Sequence, residues 1–374
     1  MRGSHLTLGL HAAVAAAALG IAAAIVPDLP PLEVLGGDAP TYAAMAEHPF
    51  EAAAGPPAAQ RLLVPWLVGV LPFGTARGFT IVAVLSMIAA GVVVALICRR
   101  LGLSLPAQAG AAALVTGSYI GVHAVYNQYY VDPETLLLTA LAFLLVLHRR
   151  LVPLAAVLVA GVLTKEIVVS LVVLPYLVWR EQGRAWDRRA ALRAAAVAAP
   201  VLVVFAANHL FAPELATSDP DPWRGVLHAE PGGIVSRGFL TSVVNPIVAL
   251  FGAASILWPI GLWLGPEALR RAHVWALLAA PVLVLGSWER TLGVFLPLAV
   301  PAALYVLRGV RAEVLALFVA GSFWITGIAG AMTIGDDETT AAFKLALVAP
   351  GFVVAWGALA WELSRRIRDP ARVA

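Results

Sequence analysis

Residues 78–98 read GFTIVAVLSMIAAGVVVALIC, and Arg99-Arg100 close the run at once. No charge interrupts it. A helix of about 20 apolar residues, rising about 1.5 Å per residue, is long enough to cross the ~30 Å hydrocarbon core of a bilayer. The same pattern recurs on both sides, at approximately 6–26, 107–124, 135–148, 151–163, 167–179, 192–211, 241–264, 273–287, 291–307, 312–332 and 343–361. Short knots of Arg, Pro, Gly or acid separate these runs. The expected fold is therefore all-α, a polytopic transmembrane helical bundle of about 12 spans (11–13) forming a single transmembrane domain over 1–374. The runs 151–163 and 167–179 are short and read as partial spans meeting at a polar point. The stretch RLLVPWLVGVLPFG, 61–74, is too short and proline-broken to span and reads as a re-entrant or juxtamembrane helix. The first run continues for a full span, so it reads as a helix rather than a cleavable leader.

Composition agrees. The chain is 61% hydrophobic and 13% charged, against about 25% charged in soluble domains. Its mean hydropathy is +0.87. The single Cys98 excludes an intramolecular disulfide or a thiolate metal cluster and reads as packing. A net charge of +3 follows from topology and implies no nucleic acid. Only two of 25 basic residues are lysines, and Ala, Gly, Pro and Arg abound, the usage of a GC-rich bacterial genome. The expected location is the bacterial plasma membrane.

With the N-terminus inside, 18 of the 25 basic residues fall on one side, from Arg2, Arg99 and Arg100 through Arg149, Arg150 and Arg180 to Arg365 and Arg366. That side is expected to be cytoplasmic, with both termini on it. The opposite face receives 16 of 22 acids. Counting 61–74 as a span would reverse every later loop and the arginine asymmetry with it.

Five places on that outer face combine acids, bases and aromatics. The first outer loop, 27–60, carries Gly36-Gly37-Asp38-Ala39-Pro40-Thr41-Tyr42 and leads to Arg61. Asp38 suits either a carboxylate presented to a cavity or the N-cap of the short helix that follows. Tyr126-Asn127-Gln128-Tyr129-Tyr130-Val131-Asp132-Pro133-Glu134 joins amides and aromatic rings, the materials of a sugar platform, with a second cap-like Asp-Pro. Thr164-Lys165-Glu166 places charge inside an apolar stretch, as a functional group or as a structural Lys165–Glu166 pair. Trp288-Glu289-Arg290-Thr291 is wedged between apolar runs, and Arg290 offers a donor fork for phosphate or carboxylate. Asp336-Asp337-Glu338 reads as a solvated turn. The outer loop 212–240, with Trp223, His228 and Arg237, is a candidate lid. Carboxylates together with Arg61, Lys165 and Arg290 suit a reaction that needs a base and binds an anionic leaving group, phosphate above all.

Gly37-Asp38 with Tyr42, Arg61-Leu62-Leu63-Val64-Pro65, Tyr129 to Asp132, Thr164-Lys165-Glu166, and Glu289-Arg290 with Phe295-Leu296-Pro297 resemble the GT-C superfamily of membrane glycosyltransferases. The resemblance runs through roughly residues 30–180 and 285–305. It implies transfer, with inversion, of a sugar from a polyprenyl-phosphate-linked donor to an acceptor hydroxyl on a glycan, lipid or protein. On that resemblance the catalytic carboxylates are Asp38, as general base, with Asp132 and Glu166. Arg61, Lys165 and Arg290 bind the donor phosphate, oriented by Glu166 and Glu289. Tyr42, Tyr129, Tyr130, Glu134 and Glu289 line the substrate, and Asp132 and Glu134 hold the acceptor or share the base role. Larger members often carry a soluble domain after the last span, whereas here the chain stops at Ala374, so acceptor recognition falls to loops and cavity. No metal ligand set is expected. Some relatives use a divalent ion, and Asp38 with Asp132 is the pair that leaves one open.

A secondary transporter or a lipid-linked glycan flippase or permease is the rival reading, since many spans and an intramembrane Lys-Glu also suit one. No internal repeat relates the halves, and the charges lie toward one face rather than the midplane. HExxH, GxSxG, P-loop and GxGxxG patterns are absent.

Overall fold

The computed structural model describes residues 2–25, 38–48, 60–181, 186–211, 248, 251–283, 293–334 and 341–368. Among them the chain is helical throughout, with no strand. The helices are α1 (Arg2–Ile25), α2 (Ala39–Glu47), α3 (Leu63–Gly69), α4 (Thr75–Arg100), α5 (Leu105–Thr116), α6 (Tyr119–Tyr126), α7 (Asp132–Leu147) and α8 (Leu151–Thr164). A 3-10 helix, Glu166–Val173, leads into α9 (Leu174–Trp179) and α10 (Arg188–Phe211). Then come α11 (Ala254–Leu264), α12 (Glu267–Leu283), the 3-10 turn Gly293–Phe295, α13 (Leu296–Val306), α14 (Ala312–Ile334) and α15 (Ala341–Arg368).

Among the described residues four stretches, His5–Ala24, Thr75–Arg100, Arg188–Leu210 and Ala346–Arg366, are long and apolar enough to cross a membrane, fewer than the twelve runs read from hydropathy. Leu105–Thr116, Leu151–Thr164, Glu166–Trp179, Ala254–Leu264 and Gly293–Val306 are shorter apolar helices. The run 107–124 is two helices, not one. Thr116 and Ser118 turn their hydroxyls back onto the carbonyls of Ala112 and Val115, and Phe323 sits so close to Gly117 that a Cβ there would lie 2.0 Å from its ring. Helix α8 stops at Lys165, whose backbone is extended (φ −158°, ψ 129°), and the chain resumes as a 3-10 helix. Helix α3, seven residues long, spans only about 10 Å. Its Trp66 and Leu67, with Val70 just beyond, are exposed.

Contacts between the helices define two ends of the bundle. Phe79, near the start of α4, packs on Tyr129 just ahead of α7, and Glu134 of α7 meets Ser86 further along α4, so the two helices run in parallel. Trp179 donates to the carbonyl of Val146 at 2.8 Å, bringing the end of α9 to the end of α7. Gly102 (φ 78°) turns α5 back along α4. Helix α14 runs with α5, because Gly110 faces Val319 while Gly117 accepts from Thr326 at 2.8 Å. Arg99, Arg149, Arg180, Arg308 and Arg311 therefore lie at one end, and Asp38, Arg61, Asp132 and Glu166 at the other. Cys98 is fully buried in the core. The candidate lid 212–240 lies outside the described residues, as do Glu289, Arg290 and Asp336 to Glu338; the outer loop 27–60 is described only at 38–48 and 60.

A candidate charged site at one end of the bundle

Arg61 organises the site. Its Nε and Nη2 reach the two oxygens of Glu166 at 3.0 and 2.7 Å, the forked pairing that only a planar guanidinium makes. Its Nη1 donates to Tyr42 Oη at 2.7 Å and to Asp38 Oδ2 at 3.0 Å. Two segments far apart in the chain, Asp38 with Tyr42 and Glu166, thus converge on one cation.

Each partner is aimed by local structure. Asp38 stands at the N-cap of α2 but makes no capping hydrogen bond, so its carboxylate is turned to Arg61 rather than to its own helix. Tyr42, one turn on, leans back over it, as helical side chains do, and lies 3.4 Å from Oδ2. The Tyr42 ring is fully buried among Val64, Phe79, Tyr129 and Val131. Burial, with help from Asp38 and Asp132, holds the phenol above its ordinary pKa despite Arg61, so Tyr42 works as a neutral hydrogen-bonding group. Gln60, just before Arg61, has its carbonyl held at 2.7 Å by Asn208 of α10.

Lys165 and Glu166 do not pair with each other. The extended backbone at Lys165 sends consecutive side chains to opposite sides. Glu166 takes Arg61, and Lys165 Nζ meets Asp132 Oδ1 at 2.5 Å. Lys165 and Asp132 are 8% and 5% exposed, so this pair is shut away, whereas Asp38 and Glu166 are each 32% exposed. Burial acts to raise the Glu166 pKa, but Arg61 and then Lys165 outweigh it and hold the group below the usual carboxylate range. Asp132 is the first residue of α7, directly after the N-cap Val131. Glu134 is buried, and its Oε2 meets no partner among the described residues.

These contacts sort the candidates. Among the described residues both hydrogen bonds to Asp38 arrive at Oδ2, while both oxygens of Glu166 are taken and Asp132 is enclosed with Lys165. Tyr129 is buried with its ring 5.0 Å from Phe79. Tyr130, half-buried, stacks on His123 at 5.3 Å. The residues that sequence reasoning missed are Asn208, His123 and Ser86. Asn208-His209 ends an otherwise apolar helix, which was a readable signal; Ser86 and His123 carried none. No group of three metal-ligating side chains occurs among the described residues. No family model matches the chain, and neither a curated protein nor a solved structure matches it.

Proposed function

We propose that this protein is a membrane glycosyltransferase of the GT-C type, working on the extracytoplasmic face of a bacterial plasma membrane with both termini cytoplasmic and about 12 passes, several of them broken. It moves a sugar from a polyprenyl-phosphate donor to a glycan, lipid or protein hydroxyl. The observation that carries this reading is the convergence of Asp38, Tyr42 and Glu166 on Arg61, at the end opposite the arginine-rich turns.

In this reading Asp38 Oδ1 accepts the proton of the acceptor hydroxyl. The acceptor oxygen attacks the anomeric carbon from the face opposite the phosphate. The carbon–oxygen bond to phosphate breaks, and its electron pair leaves on the polyprenyl phosphate, which inverts the sugar. Arg61 holds the departing charge, and the phosphate reaches it by exchanging with one of the carboxylates. Lys165 and Arg290 add positive charge, with Asp132, Glu166 and Glu289 as their counter-ions. Tyr42, Tyr129, Tyr130 and Glu134 shape the acceptor side. A divalent ion stays compatible with Asp38 and Asp132.

The test is Asp38→Asn in reconstituted membranes with a polyprenyl-phosphate-sugar donor. Sugar transfer is expected to fall about 10²- to 10⁴-fold, the usual contribution of a general base, with an unchanged thermal transition. Normal turnover would remove Asp38 from the role. The buried Lys165–Asp132 pair at a helix break also favours a second reading, a secondary transporter. Substrate uptake by sealed proteoliposomes, lost in Asp132→Asn and kept in Asp38→Asn, would select that reading instead.

A further inference from the structure

The end of the bundle away from Arg61 carries a second charged cluster that the proposed reaction does not use. Glu362 on α15 has a side chain only 2% exposed, and three guanidinium groups close on it. Arg311 Nε lies 3.1 Å from Oε2, Arg365 reaches both oxygens at 3.2 Å, and Arg366 Nε lies 3.0 Å from Oε1. Arg366 also donates to the Gly309 carbonyl, which ties the end of α15 to the turn before α14. Arg308, in that turn, lies over the Tyr305 ring and adds a fourth cation. Against these four stand Glu362 and the exposed Glu313, so positive charge is in surplus.

The geometry says where the surplus points. Glu362 engages Arg311 and Arg366 through Nε, and Arg311 Nη1 and Nη2 make no hydrogen bond to the described residues. The Arg311 guanidinium carbon lies over Trp361, 4.5 Å from the ring centroid, with a third or more of the side chain exposed. Trp361 is itself 55% exposed, and Val354, one heptad earlier on the same face, is 41% exposed. Val354, Trp361 and Arg365 form one stripe, apolar along the helix, aromatic near its end and cationic at the tip.

We infer that this cluster binds the headgroup of an anionic phospholipid, with the phosphate diester on Arg308, Arg311 and Arg366 and an acyl chain along the Val354–Trp361 face of α15. A free phosphate would find the arginines but has no use for the apolar stripe. A zwitterionic lipid brings its own cation to a site already in positive surplus. Glu362 keeps the guanidinium groups splayed and ready, at the cost of one of their charges. The inference stands apart from the sugar-transfer reading and requires only that the protein resides in a membrane.

The full chain is reconstituted with mixed phosphatidylglycerol and phosphatidylcholine, extracted in mild detergent, and its retained lipids are identified by native mass spectrometry. Phosphatidylglycerol is expected to be retained selectively. Arg308→Gln/Arg366→Gln should weaken its retention about 25-fold, about fivefold per arginine near a membrane surface. Arg188→Gln/Arg189→Gln, which removes two exposed arginines elsewhere, should leave it unchanged. Equal losses in both double variants, or retention without lipid preference, would overturn the site. Displacement of the lipid by glycerol phosphate at equal concentration would overturn the acyl-chain half of the inference. Arg308→Gln alone does not touch the Glu362 clamp and is expected to weaken retention about fivefold even if the double variant fails to fold.

Discussion

Lys165 and Glu166 are adjacent in the chain, yet they belong to different ion pairs with different energetic characters. Glu166 is a third exposed and shares Arg61 with Asp38, so water screens part of that interaction. Lys165 and Asp132 are almost wholly enclosed. For an enclosed pair, removing one partner takes away the nearest counter-charge of the other, and losses from breaking such pairs run to about 3–5 kcal/mol. Lys165→Met and Asp132→Leu should therefore each lower the thermal transition of the detergent-purified protein, and the double variant should lose less than the sum of the two. Additive losses in the double variant would mean that the pair does not act as a unit. Arg61 is bound to its residue type by geometry, since lysine would keep the charge but lose the fork that spans Glu166 and Asp38 together.

At the scale of the element, the distance between Asp38 and Arg61 depends on how closely α2 and α3 approach. Gly69 of α3 lies against α2 so tightly that a Cβ would fall 2.3 Å from the Ala46 carbonyl oxygen, and backbone cannot yield as a side chain can. Gly69→Ala should force the helices apart at about 1–3 kcal/mol, as overpacked sites do, and loosen Asp38 from Arg61. Gly357→Ala, inside α15 with nothing within 4 Å, serves as the comparison without a clash. Parallel unfolding curves for the two variants would show that the α2–α3 contact is not tight. The break after α8 works in the same manner: Gly161 lets Val168 fold back over the helix it follows, and this turn aims Lys165 and Glu166.

Across the whole molecule, the charged site and the arginine-rich turns occupy opposite ends of the bundle. Glu134 meets Ser86, eleven residues past Thr75 on α4, so its carboxyl sits about 16 Å along that helix. Glu134 is thus recessed along the bundle, while Asp38 and Glu166 stay partly exposed. The native Cys98 is fully buried and stays silent to a bulky reagent, so single introduced cysteines report topology cleanly. A membrane-impermeant maleimide added outside intact cells should label Glu47→Cys on α2 and spare Arg150→Cys in the α7–α8 turn until the membrane is opened. Labelling of both from one side would place the two ends in the same compartment and remove the proposed topology.

The amino-acid order alone determined the solvent, the helical class, the arginine asymmetry and most of the residues gathered at the site. Those properties are sums over local stretches: apolar length decides whether lipid is tolerated, and arginines count wherever they fall. Helix ends were legible to within a few residues at α8 and α14 but not at 107–124, where Phe323, some 200 residues away, presses on Gly117. Pairing was decided only by tertiary structure. Arg61 and Glu166 are 105 residues apart and Lys165 and Asp132 are 33 apart, and no spacing rule joins them. Whether Asp38 caps a helix or faces a cation turns on a side-chain direction, which depends on where three helices meet; the fold brings Arg61 within reach, and the stronger, charged partner wins.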